Sequence, residues 1–123
     1  MARMKLDPSG QQVPIDLHHY AVRTACDIAY QKVQEAWENG YDEITLIHGA
    51  PSSTHHFSAW STGYGSIKWS LRRALANGCW MRWAYNRRSR QHMIEDGAMT
   101  LRLRPNPKPH TPPQWTSLPD PDY

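Results

Sequence analysis

Cysteine is scarce in this chain: Cys26 and Cys79 are the only two in 123 residues. They stand far apart, and neither belongs to a Cys-x-x-Cys pair or a secretory disulfide framework. A reducing cytoplasm is therefore the expected compartment. Long apolar runs are absent too. None approaches the ~20 residues needed to cross a bilayer, and nothing near Met1 has the basic start, apolar middle and small-residue exit of a signal peptide. No membrane partner is expected. Internal repeats are also missing, and the chain is long enough for one ordinary hydrophobic core but short for two. One domain with tails is the expected organisation.

Acids are lacking over one long stretch. Between Lys68 and Arg90 there are seven basic residues (Lys68, Arg72, Arg73, Arg82, Arg87, Arg88 and Arg90) and no acid, although the chain as a whole carries only +3. The acids gather instead at Asp27, Glu35, Glu38, Asp42 and Glu43. One side of the molecule is expected to be positive. Arginines outnumber lysines ten to four, which favours forked donors that suit phosphate oxygens and stack on bases. A solvated face carrying ordinary solubility charges is the competing reading.

Residues 1–12 hold Pro8, Ser9 and Gly10 without apolar periodicity and read as a flexible arm. Val13, Ile15 and Leu17 then alternate with Asp16 and His18, the period of a short strand. From Ala21 to Asn39, Val22, Ala25, Ala29, Val33 and Ala36 with Trp37 recur at helical spacing, and Asn39-Gly40 supplies a stop. The run Ile44-Thr45-Leu46-Ile47 reads as a buried central strand. Residues 50–62 break the pattern as an inserted surface loop with His55, His56, Phe57 and Trp60. Ser66 is placed to cap a second helix with Ile67, Leu71, Ala74 and Leu75 inward and Lys68, Arg72 and Arg73 outward. Cys79–Tyr85 is aromatic enough for a strand, in which alternation with Met81 and Cys79 puts Trp83 on a buried side. Met99, Leu101 and Leu103 mark the last strand. The expected order is βαβαββ over residues 13–104. In residues 105–123 fall seven of the ten prolines, so this tail is expected to be extended or disordered.

The chemistry gathers where loops leave the strands. Ligands of open α/β sheets bind outside the carboxyl ends of parallel strands, and both Asp16-Leu17-His18 and His48-Gly49 end such strands. Asp16 and His18, two apart, are expected on one side, where they can share a metal, a water or a phosphate. The competing reading is an Asp that caps the following turn and a His that bonds the backbone. Gly63-Tyr64-Gly65, ahead of a basic helix, offers backbone N–H groups to an anion. It lacks the Lys-Ser or Lys-Thr ending of a P-loop and the third glycine of a Rossmann turn, which disfavours mononucleotide cofactors.

The succession of Ile15-Asp16-Leu17-His18, Leu46-Ile47-His48-Gly49, the glycine turn Thr62-Gly63-Tyr64-Gly65, the helix Ile67–Leu75 and Gly97-Ala98-Met99-Thr100-Leu101 resembles the Smr domain over roughly residues 13–104. The resemblance implies a two-layer βαβαββ sandwich with a mixed sheet, similar to the C-terminal domain of bacterial translation initiation factor 3. It also implies binding of DNA or RNA and, as in many members, endonuclease activity. The family's Asp-Leu-His-Gly falls on Asp16, Leu17, His18 and His19, so a histidine replaces the glycine. Its His-Gly-x-Gly begins at His48-Gly49 and resumes at Thr62–Gly65 after the inserted loop.

Residue chemistry and resemblance together lead to a phosphodiester hydrolase. Asp16 would orient water or hold Mg²⁺ or Mn²⁺, with His18 or His48 as general base or acid. Gly49, Gly63, Tyr64, Gly65, Lys68, Arg72, Arg73, Arg87 and Arg88 would bind the nucleic acid, with Tyr64 and Trp60 as stacking faces and Trp83 expected in the core before a stacking role. The pairs His18-His19 and His55-His56 are expected to point apart on extended chain, which disfavours structural zinc. Two alternatives stand beside this reading. One is a non-catalytic module that binds RNA, DNA or the ribosome, and the other is a protein-interaction domain using the Pro-rich tail.

Overall fold

The computed structural model describes residues 12–49, 66–85, 93–94 and 97–120. Residues 1–11 of the expected arm, the inserted loop and the glycine turn, and the segment with Arg87, Arg88 and Arg90 lie outside these residues, and the last residue of that arm, Gln12, instead opens the first strand. Alternating apolar residues build β1 (Gln12–Asp16), and the helical repeat that follows builds α1 (Val22–Glu38). β2 (Glu43–Ile47) comes next, then α2 (Ile67–Ala76), the two-residue β3 (Met93–Ile94) and β4 (Ala98–Arg102). The sheet is mixed, in the order β1-β2-β4-β3: β1 runs parallel to β2, and β4 is antiparallel to both its neighbours. With the two helices this makes a small α/β arrangement compatible with two layers.

The parallel pair sets the site, because Asp16 lies opposite Ile47 and the two strands therefore end together. The core holds them in that register. Val13 and Ile15 of β1, Ile44 and Leu46 of β2, and Met99 and Leu101 of β4 are wholly buried, each contributing about 1.5–3 kcal/mol of apolar burial. Ala25, Ala29, Val33 and Ala36 of α1 and Leu71 and Leu75 of α2 belong to the same core. On the other face of the sheet, Thr45 and Thr100 sit in register and share a hydroxyl hydrogen bond of 3.0 Å. Ser66 caps α2, its Oγ accepting from Trp69 N–H at 3.0 Å. Among the described residues no helix is long and apolar enough to cross a membrane.

The strand expected over Cys79–Tyr85 does not form. Gly78, at φ +77°, reverses the chain after α2, and the N–H groups that a strand would offer a neighbour are used locally. Met81 N–H donates to Gly78, and both Trp83 and Ala84 N–H donate to Trp80. The stretch meets the sheet at its end alone, where Ala84 forms an isolated bridge to Leu103 and Tyr85 N–H donates to the carbonyl of Arg102 at 3.0 Å. The turn seats Trp80 in the core at 1% exposure and buries Trp83, whose ring meets Tyr30 edge-on at 5.5 Å. Cys79 and Met81, expected on the buried side with Trp83, are exposed.

The Pro-rich segment takes the extended course, and its described part lies along α1. Asn106 Nδ2 donates to the carbonyl of Trp37 at 2.8 Å, and His110 N–H donates to that of Glu38 at 2.9 Å. These bonds satisfy helix-end carbonyls that have no partner inside the helix. The side-chain amide of Asn39 pairs both ways with the backbone of Gln114, at 2.9 Å in each direction. Pro109 packs where a side chain on Gly40 would stand, 2.7 Å from an ideal Cβ. Further on, Lys32, wholly buried, donates from Nζ to Glu35 at 2.8 Å and to the carbonyl of Thr116. Thr116 in turn donates to Glu35 from its N–H and its hydroxyl.

Candidate active site

β1 stops at Asp16 because the next residues turn: His18 N–H donates to Asp16 Oδ1 at 3.1 Å, and Tyr20 N–H to the carbonyl of Leu17 at 3.2 Å. The aspartate thus caps its turn, as short polar side chains do at chain reversals. The same oxygen also contacts Nδ1 of the His18 ring, so the expected sharing of one side by Asp16 and His18 is found within this turn. Both side chains are open to solvent, 37% exposed for Asp16 and 44% for His18. A carboxylate on Nδ1 fixes the imidazole tautomer and leaves Nε2 as the proton-accepting atom.

His19 is the residue whose placement sequence reasoning missed. On extended chain it would point away from His18, but the turn brings the two rings to 3.6 Å between centroids. One ligand atom each from Asp16, His18 and His19 lie within 4.8 Å of one another. The signal was present in Asp16 itself, since an aspartate two residues before a free N–H favours a turn over continued strand.

At the end of β2, His48 and Gly49 both donate their N–H groups to the carbonyl of Gly97, at 3.1 and 3.0 Å. Gly49 has φ +77°, and an ideal Cβ on it would stand 3.3 Å from His18 Cβ. The two motifs therefore touch. A side chain here is strained by the backbone and crowds His18, so Gly49→Ala is expected to lower unfolding stability by about 1–3 kcal/mol. Urea denaturation of the two proteins measures this.

His48 is buried at 5% exposure, with Nδ1 2.8 Å from the carbonyl oxygen of Gly49. Its Nε2 is buried without a hydrogen-bond partner among the described residues. Burial pushes its pKa below the ordinary histidine value of 6.5; the bond to Gly49 opposes this, and the charges of Lys68 and Arg72 add to the lowering. Of the three expected catalytic residues, Asp16 and His18 face solvent and His48 does not. A depressed histidine pKa has a definite consequence for stability. Above 6.5 both native and unfolded chains carry a neutral ring; below it the unfolded chain takes a proton that the native ring resists. Native stability is then lost as pH falls through 6.5 towards the folded pKa. From about pH 7.5 to about pH 5.5, the urea midpoint of the wild type is expected to fall more than that of His48→Gln.

That electrostatic influence also ties α2 to the strand ends. Lys68 and Arg72 lie four apart and so on one helix face, close enough to act on His48. Arg73 is engaged differently, its guanidinium 5.2 Å over the Trp69 ring. Gly63, Tyr64, Gly65, Arg87 and Arg88 lie outside the described residues, as do His55, His56, Phe57 and Trp60. Compared with known proteins, no family model matches the chain, and no curated protein or solved structure matches it.

Proposed function

We propose that this chain binds and cuts nucleic acid, with Asp16 and His18 acting on the phosphodiester and Lys68 and Arg72 holding the backbone. The observation that carries the reading is the solvent-open Asp16–His18 pair at the end of β1, packed against Gly49 just beyond β2. The field of Lys68 and Arg72 on neighbouring His48 adds a cationic flank suited to phosphate. The motif order that resembles the Smr domain supports the same reading. So does the order of elements, for which we propose the fold of the C-terminal domain of bacterial translation initiation factor 3.

In this mechanism Asp16 holds His18 through Nδ1, and Nε2 takes a proton from the attacking water. The water oxygen bonds to phosphorus, the bond to the leaving oxygen breaks, and that oxygen takes a proton from solvent. His48, sealed from solvent, supports the Gly49 turn. A second reading, binding without cleavage, draws on the turn-capping bond from His18 N–H to Asp16, which gives the aspartate a structural task.

The binding half is tested with labelled single-stranded RNA and duplex DNA across a salt series. Affinity is expected to fall linearly with salt on a logarithmic plot, because phosphate contacts release counterions. Lys68→Glu with Arg72→Glu is expected to weaken binding by about tenfold or more and to flatten the salt slope by about two. Binding indifferent to salt and to both reversals would refute the nucleic-acid reading.

A further inference from the structure

We infer that Asp16, His18 and His19 form a three-ligand site for a divalent ion of the zinc class, with an open fourth position. The proposal rests on the same Asp16–His18 pair as the reading above and names the ion it takes; with the ion held, His18 would serve as a ligand instead of a base, and the ion would supply the activated water. All three ligands come from four consecutive residues, yet the turn gathers one donor atom of each within 4.8 Å of the others. In a tetrahedral zinc shell, with Zn–N near 2.0–2.1 Å, neighbouring ligand atoms lie about 3.3 Å apart. Closing the site therefore asks the three side chains to adjust from a spacing of at most 4.8 Å to this one.

The backbone is already fixed on both sides of the ligands. Leu17 N–H donates to Ile47 at 2.7 Å and Tyr20 N–H to Leu17 at 3.2 Å, and both Leu17 and Tyr20 are buried in the core. The ligands thus project from a turn pinned at two points, which lowers the ordering cost of binding.

Donor chemistry decides the metal. Two imidazoles and one carboxylate suit zinc, cobalt or nickel, whereas magnesium takes oxygen donors and here finds a single carboxylate. This departs from the Mg²⁺ or Mn²⁺ expected beside Asp16 from the sequence, because His19 adds a nitrogen that the extended-chain reading had turned away. His18 and His19 are exposed, so water or a phosphate oxygen can complete the shell. Three protein ligands with one open position is the arrangement of catalytic zinc, which lowers the pKa of bound water.

The test uses the full chain without an affinity tag, titrated with Co²⁺ as a spectroscopic stand-in for Zn²⁺ and followed by calorimetry with Zn²⁺. One ion per chain is expected, with d–d absorption of low coordination number that Zn²⁺ removes and an approximately hundredfold excess of Mg²⁺ does not. His19→Ala, His18→Ala and Asp16→Asn are each expected to weaken binding by about tenfold or more. Unchanged affinity in His19→Ala, or no binding by the wild type, overturns the proposal. Parallel cleavage assays separate the two claims. Metal binding without cleavage leaves the site and removes the nuclease; cleavage in EDTA by a chain that binds no metal does the reverse.

Discussion

Asp16→Ala and His18→Ala are each expected to slow phosphodiester cleavage by about 10²–10⁴-fold, the usual contribution of a positioned proton-transfer group. KM is expected to change little, because both residues act on the reacting atoms while Lys68 and Arg72 supply most of the binding. The two effects are also expected to be far from additive. Asp16 works through His18 Nδ1, so a chain lacking both residues should cleave about as slowly as one lacking His18 alone. Single-turnover cleavage of an end-labelled oligonucleotide by the three variants measures this. Fully additive losses would show that the carboxylate acts independently of the ring.

The second large effect lies away from the strand ends. Lys32 is wholly buried and Glu35 is 8% exposed, and their ion pair is completed by the backbone and hydroxyl of Thr116. Removing one partner leaves a buried charge with too few hydrogen bonds, so Glu35→Ala is expected to cost roughly 3–5 kcal/mol. It should also loosen residues 105–120 from α1, since Glu35 accepts the Thr116 N–H at 3.3 Å. Proteolysis in that segment reports the release. The double change Lys32→Met with Glu35→Leu is expected to cost much less than Glu35→Ala, because no charge is then stranded. Equal losses in the single and double variants would contradict the role given to the pair.

Much of this architecture was legible because periodicity and stop residues agree. Val13-x-Ile15-x-Leu17 carries its alternation into β1, and Asn39-Gly40 and Asn77-Gly78 end the two helices where the structure ends them. The stretch Cys79–Tyr85 was misread because aromatic side chains fit a strand by propensity while the fold used them as turn residues around buried Trp80. β propensity records packing against neighbours, and here the neighbours were local.

The docking of the tail was hidden for a different reason. Lys32 and Glu35 sit three apart on α1 and look like an exposed helix pair, yet the Thr116 groups that satisfy them lie more than eighty residues away. Trp115, half-buried with its ring 5.4 Å from that of Tyr41, was the one aromatic hint in that segment. In the site, the positions of Asp16, His18 and His48 followed from strand ends alone. The burial of His48 and the approach of His19 to His18 depend on the turn and on packing, which no spacing rule encodes.

Titrating isotope-labelled protein with a short single-stranded RNA, and then with duplex DNA, while following backbone amide resonances shows whether nucleic acid binds at the strand ends. Shifts are expected to concentrate at His18, Gly49 and the first turn of α2 around Lys68, to diminish with added salt, and to leave Gln34, Glu38 and Gln114 unmoved. Shifts confined to α1 and the Pro-rich segment, or none with either nucleic acid, would contradict binding at the strand ends.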